Sequence, residues 1–240
     1  MAIERVTGLV IDTIRHSDRH NVVTLYTRER GRMSFLSNVG TGKAARMRNV
    51  RLRPLAAVIT DVDMRGNRDL QRLGAVTPAV LWHDLYFNPV KSSIVMFLSE
   101  FLNTFLRQSD ADAGMWDFIV RSLQGLDAER GPVANRHLAF LIGLLPHAGI
   151  QPDLSGDGKW FDMRDGVVVD FMPLHHDVVT GDELQALRTI ARMTAANCRR
   201  FRFSASQRRR LLAGLLQYYS IHFPGLANLK SPSILAETFC

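Results

Sequence analysis

The chain has 240 residues, 22% of them charged and 46% hydrophobic, with 30 Lys and Arg against 23 Asp and Glu. That is long enough for one large domain or two small ones, each with its own core, while the lack of any run of about 18 uncharged apolar residues argues against a membrane span. Cys198 and Cys240 lie far apart with no CxxC pair, which leaves neither a disulfide framework nor a cysteine zinc site. Met1-Ala2-Ile3-Glu4-Arg5 lacks a basic stretch followed by an apolar one, so no secretory leader is expected and a soluble, cytoplasmic protein is. The charge is uneven: residues 1–78 hold fourteen Lys and Arg against seven acids, and residues 79–240 hold sixteen of each. Such asymmetry turns the first third toward a polyanion.

Thr7 to Ile14 is β-branched and apolar, and the polar cluster from His16 to Asn21 separates it from Val22–Thr27. Two further β-rich runs, Val22–Thr27 and Met33–Leu36, flank Arg28-Glu29-Arg30-Gly31-Arg32 and predict a hairpin with a basic tip. Asn38 to Pro54 is rich in glycine and cations without a clear apolar period, and is read as a mobile basic loop. Leu55–Val62 predicts a fourth strand, Met64–Asn67 a turn, and Leu70–Thr77 a weaker fifth strand. Five short strands in so few residues suit a small closed barrel of the OB type. At Pro78 the pattern becomes helical, so the domains are placed at 1–78 and 79–240, giving an α+β chain.

Val80–Phe87 is a short apolar helix candidate. Asn88-Pro89 then supplies an N-cap and a proline at N1 for a helix through Phe105. Trp116–Leu126 and Pro132–Leu145 follow as helices. Around residues 153–176 the helical period lapses, and Lys159–Asp162 and Val167–Phe171 across an Asp165-Gly166 turn predict a small inserted β-hairpin. Thr180-x-x-Glu183 and Ser204-x-x-Gln207 are capping boxes before two more helices, and Ser231-Pro232 starts a last short one.

Among the motifs, Gly40-Thr41-Gly42-Lys43 resembles part of a phosphate loop, but Ser37 and Ala44 stand where G-x-x-x-x-G-K-[ST] needs a glycine and a hydroxyl. His175-His176 has no acid at a known metal-ligand spacing, and His83, His137 and His147 sit singly in or beside apolar helices. No serine elbow, H-E-x-x-H or paired carboxylate stands out, so the sequence supports neither an enzyme nor a cofactor. The basic stretch is different. Lys43, Arg46, Arg48, Arg51 and Arg53 lie close together without an acid, next to Arg28, Arg30 and Arg32 of the hairpin, and their guanidinium chemistry suits phosphate. Arg199–Phe203 with Arg208, Arg209 and Arg210 forms a second basic focus, either a charged helix boundary or a second anion site; arginines just inside a helix start oppose its dipole. An OB-fold RNA-binding or ribosome-associated adaptor is the alternative to a DNA-binding reading.

In order and local motif these residues resemble the bacterial recombination mediator family RecO. The resemblance rests on Gly8-Leu9-Val10, Leu25 to Arg32, the basic loop ending Leu52-Arg53-Pro54-Leu55, and Tyr218 to Gly225 with Leu229-Lys230-Ser231, and spans most of the chain. It implies an N-terminal OB barrel on a helical domain, binding of single- and double-stranded DNA, strand annealing, and cooperation with RecR to load RecA onto DNA coated by single-strand-binding protein. Many members carry a four-cysteine zinc module in the insert. Here the insert has no cysteine, so it is expected to hold by packing of Trp160, Phe161, Val168 and Phe171 without zinc. The resemblance also implies that the acidic tail of single-strand-binding protein docks on the helical domain. Arg136 opens the matching helix, and with Arg208, Arg209 and Arg210 it offers cations at the rim of a groove, unless the helices simply close on one another.

Overall fold

The computed structural model describes residues 3–40, 42–63, 70–107 and 109–238. The turn expected over Met64–Asn67 lies outside the described residues. The chain divides into two compact units between Ala128 and Glu129. In the first, β1 (Ile3–Arg15), β2 (His20–Thr27), β3 (Gly31–Asn38), β4 (Ala57–Asp63), β5 (Leu70–Arg72) and β6 (Val76–Pro78) form one sheet in the order β5-β3-β2-β1-β4-β6. The sheet is open, with β5 and β6 at its edges, rather than a closed five-stranded barrel. The expected fifth strand is two three-residue strands: β5 pairs parallel with β3, and β6 antiparallel with β4. Between them Gly74 passes Asp61 so closely that a Cβ would lie 2.3 Å from its carbonyl oxygen.

The predicted hairpin is present, with Val22 opposite Leu36 and Thr27 opposite Gly31. Period-two alternation sends Val6, Val10, Val23, Leu25, Phe35, Val58 and Val62 into one apolar core. The expected mobile loop instead contains the helix α1 (Lys43–Arg51). Its alanines, arginines and methionine are good helix formers, Arg48 and Arg51 in the last turn suit the dipole, and no apolar period is visible because Ala45, with Leu52 just past the helix, is nearly all that it buries.

Two helices complete this unit, α2 (Pro89–Phe105) and α3 (Ala113–Ala128). Asn88 caps α2, its Oδ1 accepting the N–H groups of Val90 and Lys91. Ser99 Oγ donates to the carbonyl of Ile11 at 2.8 Å, joining α2 to the sheet. Val80–Phe87 is not a helix. The buried Asp127 carboxylate accepts the N–H groups of His83, Asp84 and Leu85, and so fixes that backbone as a turn.

In the second unit, α4 (Arg136–Leu144) starts four residues later than Pro132 suggests. The predicted insert hairpin is present, β7 (Trp160–Asp162) pairing antiparallel with β8 (Val167–Val169), and β9 (Val178–Thr180), beyond the predicted insert, extends it to three strands in the order β8-β7-β9. Then come α5 (Gly181–Ile190), α6 (Ala205–His222) and α7 (Ser231–Thr238). Ser204 and Gln207 form the full capping box expected of them. Thr180 does not cap α5; its Oγ1 donates to the Lys159 carbonyl at 2.8 Å, tying β9 to the start of β7.

Candidate nucleic-acid interface

The hairpin tip is tied to its neighbours. Arg28 pairs with Asp117 of α3 at 3.1 Å, and Arg30 grips Glu4 of β1 through two bonds of 3.1 and 2.7 Å. These bonds hold the Asp117 and Glu4 carboxyls below their ordinary range. Arg32 is half-buried and donates to the Asn103 carbonyl and to Asn103 Oδ1 at 2.9 and 2.8 Å; burial is the main cause of its lowered pKa. The turn is tight because Gly31 has φ +67° and sits against Ser109 and Asp110, where a Cβ would come within 2.6 Å of the backbone. Arg28 and Arg30 remain exposed, where water and salt screen their pairs. A phosphate can therefore compete for them more readily than for Arg32.

The cations of α1 fall into two sets. Arg48 donates to the carbonyl of Asn38 and Arg51 to that of Val76 at 2.6 Å, while the Arg53 guanidinium lies 5.4 Å from the centre of the Tyr86 ring. All three are partly buried; Arg48 and Arg51 tie the helix to the sheet, and Arg53 ties its exit to the segment carrying Tyr86. Lys43, Arg46, Met47 and Val50 occupy positions i, i+3, i+4 and i+7, and all four are exposed. That outward face mixes charge with apolar surface, and the helix, which was legible as charge but not as structure, is what places these four side chains together.

In the second unit, the cations expected to meet a partner separate. Arg136 is only 12% exposed and pairs with Glu129 at 2.7 Å. Glu129 also accepts the N–H of Gly131 at 2.9 Å and a bond from Arg199 at 3.2 Å, which together hold its carboxyl low. Arg208 is half-buried and donates to the Phe203 carbonyl. Arg209 and Arg210 are exposed. Arg210 lines a cleft of about 750 Å³ whose walls include Phe161, Leu187, Phe203, Leu211 and Tyr218, with Asp182 and Glu183 also at its lining.

The small sheet is organised around a residue the sequence did not flag. Buried Asp162 accepts the N–H groups of Arg164 and Asp165 at 2.8 and 3.2 Å, and its Oδ2 lies 3.1 Å from His175 Nε2. Burial alone would raise its pKa, but these bonds outweigh it and the net shift is downward. Phe161 packs on Tyr218 with ring centres 5.8 Å apart, whereas Phe171 is 71% exposed and does not contribute the packing expected of it. The apolar residues Leu81 and Phe87 were also missed as surface groups, since the pattern around them reads as a buried helix. Among the described residues no group of three or more His, Cys, Asp or Glu is placed to hold a metal ion. None of the helices described is long and apolar enough to cross a membrane.

An open, curled, OB-like sheet with a cationic helix inserted between two of its long strands, followed by a mainly helical unit, defines the class of protein. Known proteins narrow it. Residues 1–80 match the family described as Recombination protein O N terminal, and residues 86–232 the one described as Recombination protein O C terminal. The DNA repair protein RecO of Porphyromonas gingivalis is 33% identical over 97% of both chains, that of Bacteroides fragilis 31% and that of Phocaeicola vulgatus 30%, each over 99% of both. The chain belongs to the RecO family.

Proposed function

We propose that the chain is a non-catalytic DNA repair and recombination mediator. It binds single- and double-stranded DNA, anneals complementary strands and, with RecR, helps load RecA onto DNA coated by single-strand-binding protein. Family membership supports the mediator role, and the observation that carries the DNA contact is the exposed face of α1, where Lys43 and Arg46 stand one helical turn apart. The main DNA-binding segment is residues 1–78, and the helical segment 79–240 carries the surface for protein partners. Within the first, Lys43 and Arg46 make the primary phosphate contacts and Arg28, Arg30, Arg48, Arg51 and Arg53 extend the track, with Arg32 contributing mainly by holding the hairpin.

Binding that depends on phosphates releases counterions, so affinity falls linearly with salt on logarithmic axes. Replacing Lys43 and Arg46 together by alanine is expected to weaken single-stranded and duplex DNA alike, and to flatten the salt slope by about 0.7 to 0.9 for each phosphate that the variant no longer neutralises. An unchanged slope removes α1 from the interface. Annealing of complementary strands in the presence of single-strand-binding protein, with no nucleotide added, tests the mediator role as a whole.

The acidic tail of single-strand-binding protein is assigned to the cleft beside Arg210. An apolar cavity with a cation at its rim suits a segment that ends in an aromatic and a carboxylate.

A further inference from the structure

The segment 79–88 is held from within and displays outward. Trp82 Nε1 donates to the Leu55 carbonyl at 3.2 Å and Tyr86 Oη to the Pro54 carbonyl at 2.9 Å. Asp127 fixes three consecutive N–H groups of the segment, Leu85 is fully buried, and Lys91 Nζ reaches both the Asp127 carbonyl and Asp84 at 2.8 Å. Backbone anchored at so many points could turn every apolar side chain inward. Instead Leu81 is 68% and Phe87 75% exposed. Isolated exposed apolar residues are ordinary, but two on one rigid strap lose little entropy when a ligand covers them.

What lies beside the strap indicates the ligand. Its two anchoring carbonyls belong to Pro54 and Leu55, at the exit from α1 that carries Arg51 and Arg53. Leu55 is buried with φ +57°, a left-handed conformation that a non-glycine residue adopts only where its surroundings enforce it. This strained junction sets Arg53 over Tyr86, directly next to Phe87 in the chain. The carboxylate of Asp84 on the same strap is tied to Lys91. An exposed ring one residue along the chain from a ring that carries a guanidinium is, on a DNA-binding protein, the combination by which single-stranded bases are stacked while their phosphates are held.

We propose that Phe87, with Leu81 exposed on the same strap, is a base-stacking platform for single-stranded DNA whose phosphates lie along Arg51 and Arg53. The platform rests on the DNA-binding reading and adds to it a preference for unpaired bases, which a duplex keeps inside its stack.

The test titrates the full-length protein with oligo(dT), an oligonucleotide of equal length made of abasic sites, and a duplex, all at one salt concentration. Phe87→Ala is expected to weaken oligo(dT) binding about tenfold while leaving the abasic strand and the duplex within about twofold of wild type. Phe87→Trp should keep the oligo(dT) affinity, and its added fluorescence should be quenched by oligo(dT) but not by the abasic strand. An equal loss on all three probes, or no loss on oligo(dT), overturns the stacking role, and the second result would turn the strap toward a protein partner. Wild-type protein that binds none of the probes would overturn the underlying DNA reading, and the platform with it.

Discussion

His137 shows how one buried side chain ties stability to pH. It is buried in α4, and burial, with a smaller contribution from Arg208, pushes its pKa down from 6.5 to about 3. Between those values the unfolded chain holds a proton on this residue and the folded chain does not. The contribution is therefore complete above the unfolded pKa and is lost as pH falls toward 3. Urea unfolding at a series of pH values from 7 to 5 is expected to show a loss approaching about 1.4 kcal/mol per unit from this group in the lower part of that range. His137→Gln should flatten the slope, and an equal slope in the variant would assign the loss elsewhere. Asp127 behaves in the opposite chemical sense but with the same outcome. Burial would raise its pKa, yet three backbone N–H groups and Lys91 bring it below the ordinary value, so its contribution is present above the unfolded carboxylate pKa and disappears only in stronger acid.

At the scale of elements, the small sheet depends on a hydrogen-bonded hub. Strands of three residues have little ladder of their own, and Asp162 compensates by closing the Arg164-Asp165 turn and meeting His175 from the connection between β8 and β9. Arg164 adds a pair with Asp177 at 2.7 Å, and Phe161 anchors the sheet on Tyr218 of α6, whose hydroxyl donates to the Ile150 carbonyl at 2.9 Å. Asp162→Ala is expected to cost about 1.5–3 kcal/mol, because it removes a buried carboxylate and the hydrogen bonds that close the turn and hold His175. Hydrogen exchange should show the loss of protection concentrated in residues 160–180. Excess chelator should leave the wild-type midpoint unchanged, since the hub uses a carboxylate, backbone N–H groups and an imidazole. Protection that falls evenly across the second unit would mean that Asp162 is not a local hub.

Over the whole molecule, charge is segregated twice. The cation excess of residues 1–78 is joined by a stretch from Leu184 to Ala236 that contains no Asp or Glu and nine Lys and Arg. The acids of the second unit gather instead before α5 and in its first turn, where Asp182 and Glu183 line the cleft that Arg210 also lines. On the proposed docking, a carboxylate-bearing tail enters from the Arg210 side. Arg210→Glu is expected to weaken binding of the isolated tail peptide of single-strand-binding protein about tenfold, and Asp182→Lys to strengthen it, with the affinity for naked DNA nearly intact in both. A parallel loss of DNA binding in Arg210→Glu would merge the two surfaces into one.

The sequence by itself determined whatever depends on local chemistry and short periods. The β2–β3 hairpin follows from alternation around Gly31, α2 from Asn88-Pro89 and a continuous apolar stripe, α6 from its Ser204–Gln207 box, and the polyanion-facing bias of the first third from counting charges. Tertiary structure decided the rest, because long-range partners have no signature in a local window. Whether the sheet closes depends on where Leu70–Arg72 and Val76–Pro78 find edges. Val80–Phe87 carries a helical pattern, yet Asp127, forty residues on, claims its N–H groups. Arg28, Arg30 and Arg136 read as free cations until Asp117, Glu4 and Glu129 are brought to them, and α1 reads as a loop because a helix that buries one narrow edge shows no apolar period. Phe87 looks like core for the same reason: its residue type favours burial, and only the anchoring of its neighbours Tyr86 and Leu85 turns it outward.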